Sequence, residues 1–141
     1  MDRPILPQRT LGKPKPGDKV AFTRTLTEAD VALFIGITWD VNPLHTDELY
    51  SQKTTFKQRI VPGLLTASLL THLGGLWAFL ATEMDFKFLA PVCVGDSITA
   101  QAVVAEVDEA SGAVLLDCSC TNQDGIKVLS ASIRGFPGKF E

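Results

Sequence analysis

Arg59-Ile60-Val61-Pro62-Gly63-Leu64-Leu65-Thr66-Ala67-Ser68-Leu69-Leu70-Thr71-His72-Leu73-Gly74-Gly75-Leu76-Trp77 is the stretch on which the fold turns. Pro62 suits the first turn of a helix, where its missing N–H is not needed and its φ is already set. Beyond it, Leu64, Leu65, Ala67, Leu69, Leu70, Leu73 and Leu76 leave no clear polar face. A helix apolar nearly all round is expected to be buried. Its small residues, Ala67, Ser68, Gly74 and Gly75, would let other backbone approach closely.

The rest of the chain supplies what buries it. From about Leu80 the hydrophobic period changes to two, which predicts strands near Ala81–Leu89, Ser97–Val107, Ala113–Thr121 and Lys127–Phe136. An earlier strand, Lys19–Thr25, points Val20 and Phe22 inward. Pro91–Asp96, Asp108–Gly112 and Asn122–Gly125 read as hairpin-type links, so the sheet should be antiparallel. One strand, then helices, then a run of strands is the α+β pattern: an antiparallel sheet wrapped around a buried central helix.

Between the first strand and that helix lies the chemistry. Thr27 is a good N-cap, Asp30 completes a capping box, and Leu26 with Val31 forms a hydrophobic staple. Val31, Phe34, Ile35 and Thr38 then share one helical face, and the helix leads directly into Trp39-Asp40. The segment Asp40-Val41-Asn42-Pro43-Leu44-His45-Thr46-Asp47 places a carboxylate and one of the 2 histidines around an Asn-Pro turn. Pro43 biases Asn42 away from the helical region, so the segment is expected to be a bend and not a helix. A bend can aim Asp40 and His45 at one point, where together they hold and activate a water. A short helix is expected over Asp47–Lys53, with Asp47 and Glu48 in its first turn.

Composition narrows the function classes. The chain has 141 residues, enough for one domain: an extended arm over 1–16 and a folded body over 17–141. A formal net charge of −3 and scattered cations argue against a nucleic acid partner. Thr, Ser, His and Gly interrupt the longest apolar run, which is too polar for a membrane span. Three cysteines, Cys93, Cys118 and Cys120, do not make a disulfide framework, and no metal-ligand set surrounds them. Cys118 and Cys120 should be small buried groups on one face of a strand, in a reducing, cytoplasm-like compartment.

Asp40-Val41-Asn42-Pro43-Leu44-His45-Thr46-Asp47, with Ile60-Val61-Pro62-Gly63-Leu64-Leu65, resembles the hydratase motif of the MaoC-like proteins. These are (R)-specific enoyl-CoA hydratases and 3-hydroxyacyl-thioester dehydratases of the hotdog fold. Phe86-Lys87-Phe88-Leu89-Ala90-Pro91-Val92 and Val94-Gly95-Asp96 resemble the strand and turn that follow the helix, and the likeness spans roughly Gly17 to Arg134.

The resemblance implies an α+β hotdog lyase acting on an acyl-CoA or acyl-carrier thioester. It needs no cofactor or metal and pairs its sheet in a homodimer or higher homo-oligomer. It implies Asp40 and His45 as the catalytic pair and the Gly63 N–H as the oxyanion donor, with Asn42, Pro62 and Thr71 toward substrate. A helix start with glycine suits that donor physically, because its N–H groups are unpaired and no side chain intervenes.

The residues temper some of these roles. Asn42 reads equally as a turn former, Asp47 as a helix-start residue, His72 as an interior histidine, and Trp39 and Trp77 as core or acyl-pocket lining. The chain departs from the family in having Pro62 where many relatives have His, and in the short stretch Trp77–Met84. Two other readings stay open. One is a non-catalytic acyl-thioester-binding subunit that partners a hydratase. The other is a hotdog thioesterase, disfavoured because Leu64–Trp77 holds no Asp or Glu.

Overall fold

A computed structural model describes residues 11–138. The alternating segments form five strands: β1 (Lys19–Thr25), β2 (Leu80–Phe88), β3 (Ser97–Val107), β4 (Val114–Thr121) and β5 (Lys127–Phe136). They make one antiparallel sheet in the order β1-β3-β4-β5-β2. Alternation decides which face is covered: Ile98, Ala100, Ala102 and Val104 of β3 are buried, as are Leu116, Cys118 and Cys120 of β4. Burial, with help from Asp117 and Cys120, pushes the Cys118 thiol up to about 12, and burial alone pushes Cys120 to about 11. The outer face carries hydroxyl pairs, Thr23 with Thr99 and Thr25 with Ser97, each at 2.7 Å across β1 and β3.

The order corrects one expectation. β2 does not form a hairpin with β3; it pairs with β5 at the far edge, and Pro91–Asp96 is a crossover. Two tight turns do close hairpins. They join β3 to β4 and β4 to β5, with Gly112 and Gly125 at φ 78° and 77°, backbone that glycine adopts without strain. Where β2 meets β5 the register shifts between Ala81 and Glu83, and the backbones come so close that a Cβ on Gly135 would lie 2.1 Å from the Leu80 carbonyl oxygen.

The buried face closes over the apolar helix, which is two pieces, α4 (Gly63–Ser68) and α5 (Leu70–Leu76), broken at Leu69. Leu65, Ala67, Leu70 and Leu73 join the sheet in one core, and α5 packs on β3 and β1. Burying a side chain such as Leu73 stabilises the fold by about 1.5–3 kcal/mol. The helix is not covered all round, however. Leu64 is 59% exposed, and Ser68, Thr71 and His72 are also exposed. His72 is therefore not an interior histidine; its ring lies against Phe22, centroids 4.4 Å apart. Of the expected arm, residues 1–10 lie outside the described residues, and Leu11 packs against the core.

Among the described residues, three further helices precede the central pair: α1 (Glu28–Thr38), α2 (Pro43–Thr46) and α3 (Glu48–Gln52). The capping box at α1 forms as its residues dictate: Thr27 N–H donates to Asp30 Oδ2 at 2.8 Å, and Asp30 N–H to Thr27 Oγ1 at 3.4 Å. The Thr27 N–H above all, then its hydroxyl and Arg24, hold the Asp30 carboxyl below its ordinary range against the opposing effect of burial. Leu26 and Val31 are both buried, which seats the entry of the helix.

Candidate active site

α1 ends in an unusual way. Trp39 takes the left-handed conformation at φ 58° while its N–H donates to the Ile35 carbonyl at 2.8 Å. That reversal turns the indole outward to 84% exposure, so Trp39 is neither core nor pocket lining, whereas Trp77 is core. It also starts Asp40 along a new direction. Asp40 is held locally: its N–H donates to Thr38 Oγ1 at 3.2 Å, and its Oδ1 accepts from Asn42 N–H at 3.2 Å.

The segment after Asp40 was expected to be a bend without helix. In fact Pro43–Thr46 is one helical turn, because proline at the first helical position costs no hydrogen bond. Asn42 is its N-cap, with Oδ1 accepting from Leu44 N–H at 3.0 Å. Asp47 likewise caps α3 by accepting from Tyr50 N–H at 3.0 Å. Both side chains have structural work, and Asn42 does not line the cavity described below.

His45 sits inside that turn, 8% exposed. Its Nδ1 lies 2.7 Å from the Ile60 carbonyl oxygen. A carbonyl only accepts, so Nδ1 carries a proton, and Nε2 is the ring nitrogen left for chemistry. Nε2 is 3.9 Å from Asp40 Oδ2, whose side chain is 46% exposed. The separation is too long for a direct hydrogen bond and suits a small molecule held by both groups.

Asp40 opens onto a cavity of about 500 Å³ lined by Phe34, Thr38, Pro62, Gly63, Leu64 and Phe88. Gly63 is the first residue of α4, so its N–H has no carbonyl one turn earlier to bond. Pro62 precedes it, buried, and its carbonyl accepts from Leu65 and Thr66. Thr71 lies elsewhere, in a second cavity of about 370 Å³ between helix and sheet, and its hydroxyl donates to the Ser68 carbonyl at 2.6 Å. That cavity is apolar, with Ala67, Leu70, Phe79, Met84 and Phe86 on its walls, and it shares Leu64 with the first. The structure thus brings Asp40, Pro62 and Gly63 to one cavity, sets His45 behind Asp40 without lining that cavity, and leaves Asn42 and Thr71 outside it. Phe34 and Phe88 were missed as lining; each looks like a core aromatic on its own element, and only the fold brings them to one place.

A MaoC like domain model matches residues 12–116. The chain belongs to the MaoC-like family. An (R)-specific enoyl-CoA hydratase of Rhodospirillum rubrum is 36% identical over 112 residues, 76% of this chain and 77% of that protein. A 3-hydroxybutyryl-CoA dehydratase of Methylorubrum extorquens is 32% identical over 123 residues, covering 84% and 78%. Among solved structures, an (R)-hydratase from A. caviae involved in PHA biosynthesis superposes with a TM-score of 0.86 at 27% identity, covering 91% of this chain and all of that one. The MaoC-like chain therefore has the α+β hotdog fold: an antiparallel sheet around the α4–α5 helix pair.

Proposed function

We propose that the chain is a hydro-lyase that interconverts a trans-2-enoyl thioester and an (R)-3-hydroxyacyl thioester, with coenzyme A as the carrier. One observation carries the mechanism: His45 Nε2 stands 3.9 Å from the Asp40 carboxylate, which lines a cavity headed by the Gly63 helix start. Asp40 and His45 Nε2 both accept, so one water donates to each. Its oxygen bonds to C3 as one O–H bond breaks and the proton passes to the pair. Negative charge moves through the double bond to the thioester oxygen, where the Gly63 N–H stabilises it. The pair then returns a proton to C2. Read backwards, the same steps expel water.

The apolar cavity beyond Leu64 takes the acyl chain, with Thr71 on its wall. Curated relatives act on both kinds of carrier thioester by their names, among them a mitochondrial 3-hydroxyacyl-[acyl-carrier-protein] dehydratase of Solanum lycopersicum, 30% identical over 122 residues. The higher identity of the CoA enzymes supports CoA.

The unit is a homodimer in this reading. β2 is an edge strand whose Leu80, Met84 and Phe88 are exposed, and a second copy would extend the sheet there. Incubating the purified protein with crotonyl-CoA and longer enoyl-CoAs tests the activity. Loss of the enoyl-thioester absorbance with an (R) product is expected. Binding without turnover would replace the hydratase with an acyl-thioester-binding subunit.

A further inference from the structure

We infer that Arg59 is the positioning residue of this pair, its guanidinium locking the helix that delivers Asp40 against the turn that carries His45. The inference rests on the hydratase reading above. One side chain reaches three elements. Nη2 is 2.5 Å from both carboxylate oxygens of Glu28, the first residue of α1. Nε is 3.3 Å from Glu48 Oε2, the first residue of α3. Nη1 donates to the His45 carbonyl, in α2, at 3.3 Å.

An isolated surface ion pair contributes little. Here the arginine side chain is only 20% exposed and its planar head meets acceptors from three residues at once, an arrangement a lysine ammonium cannot reproduce. The Glu28 bond above all raises the guanidinium's pKa, against the opposing effect of burial.

The next residue completes the clamp. Ile60 N–H donates to the Leu44 carbonyl at 3.0 Å, and the Ile60 carbonyl accepts from His45 Nδ1 at 2.7 Å. The Arg59-Ile60 pair therefore grips His45 through both its backbone and its ring. Val61 then anchors to the Val92 carbonyl at 2.7 Å, and Gly63 follows two residues on. One short segment thus spaces His45 from the oxyanion donor, while its arginine ties in the helix leading to Asp40.

Arg59 does not line the cavity. Its loss should slacken the geometry of reaction and leave substrate contacts in place. A misplacement of about 1 Å can cost about 10²-fold in rate.

The test uses full-length protein carrying Arg59→Gln, Arg59→Lys or the double change Glu28→Gln/Glu48→Gln, with Asp40→Asn alongside. With crotonyl-CoA, Arg59→Gln should lower kcat by about 10-fold or more with KM within about 3-fold, and Arg59→Lys should recover part of the loss. In ¹⁵N-labelled protein, the His45 Nδ1 proton should exchange with water markedly faster in Arg59→Gln. Unchanged kcat and unchanged exchange in folded Arg59→Gln would overturn the inference. So would a rise in KM alone, which would make Arg59 a substrate contact. If Arg59→Gln does not fold, the lysine and double variants carry the same two readouts. If the parent protein never turns over, or Asp40→Asn is fully active, the hydratase reading fails, and the exchange of the His45 proton still decides the clamp.

Discussion

Replacing Gly63 with alanine probes the site with the least disturbance elsewhere. A Cβ at this position would lie 2.8 Å from Phe88 Cε1 and 2.9 Å from Cδ1, with Cζ next at 3.5 Å. Those are the nearest atoms it meets, and all belong to one aromatic ring that is 55% exposed. The ring can therefore move without moving backbone. Pushing it off its rotamer costs about 0.5–1.5 kcal/mol. Alanine in place of glycine in a helix returns up to about 1 kcal/mol. The two nearly cancel, so the melting temperature should stay within about 4 °C of the parent.

Activity should not be spared. Gly63 and Phe88 line the same cavity, so the methyl and the displaced ring both enter the space where the thioester oxygen must meet the N–H. Spoiling one oxyanion donor costs about 10²–10³ in kcat, so a loss near 10² is expected in the crotonyl-CoA assay. Adding Phe88→Ala separates the causes: recovery blames the ring, persistence blames the methyl. A folded Gly63→Ala protein with kcat within a factor of about two of the parent would refute the placing of the oxyanion at Gly63.

Asp40→Asn keeps the acceptor for the Asn42 N–H and His45→Gln keeps a polar side chain, yet each should lower kcat by about 10²-fold or more with folding intact; near-normal hydration would exclude the pair. Asp30→Asn should destabilise the fold by about 1–2 kcal/mol near neutral pH, measured by urea unfolding. Because folding lowers the Asp30 pKa, its charged-state contribution is present above the unfolded value near 3.8 and fades as pH falls through the folded one, so parent and variant curves should converge in acid; a gap that persists unchanged there would contradict this. Gly135→Ala should destabilise by about 3 kcal/mol or more, since its Cβ meets the Leu80 carbonyl oxygen at 2.1 Å and the Ala81 Cα at 2.9 Å, both backbone; proteolysis should then cut first near β2, and a stable, uncut variant would contradict the close approach.

Much of this was legible in the chain because local rules agreed with one another. The ends of β1, β3 and β5 follow from period-two runs flanked by turn residues, and Thr27 with Asp30 writes its own helix start. Other features depend on partners that are distant in sequence. The length of Pro91–Asp96 does not say whether β2 pairs with β3 or crosses to β5. Pro43 looks like a breaker until its place as first helical residue is known. Trp39 reads as core or acyl-pocket lining, but a left-handed C-cap faces it outward. Asp40 and His45 could be named from one short motif. Arg59 could not, although a lone cation before Ile60-Val61-Pro62 and acids opening α1 and α3 were there to be joined.

The two indoles stand in opposite surroundings, Trp77 sealed in the core and Trp39 almost wholly in solvent beside Asp40. They make the chain a two-channel fluorophore. Blue-edge emission should follow unfolding, because only the loss of the core lets water reach Trp77. Red-edge emission and acrylamide quenching should report on Trp39, and so on whatever settles next to the carboxylate. A ligand that dims the second channel and leaves the first untouched would reveal occupancy of the site without any turnover.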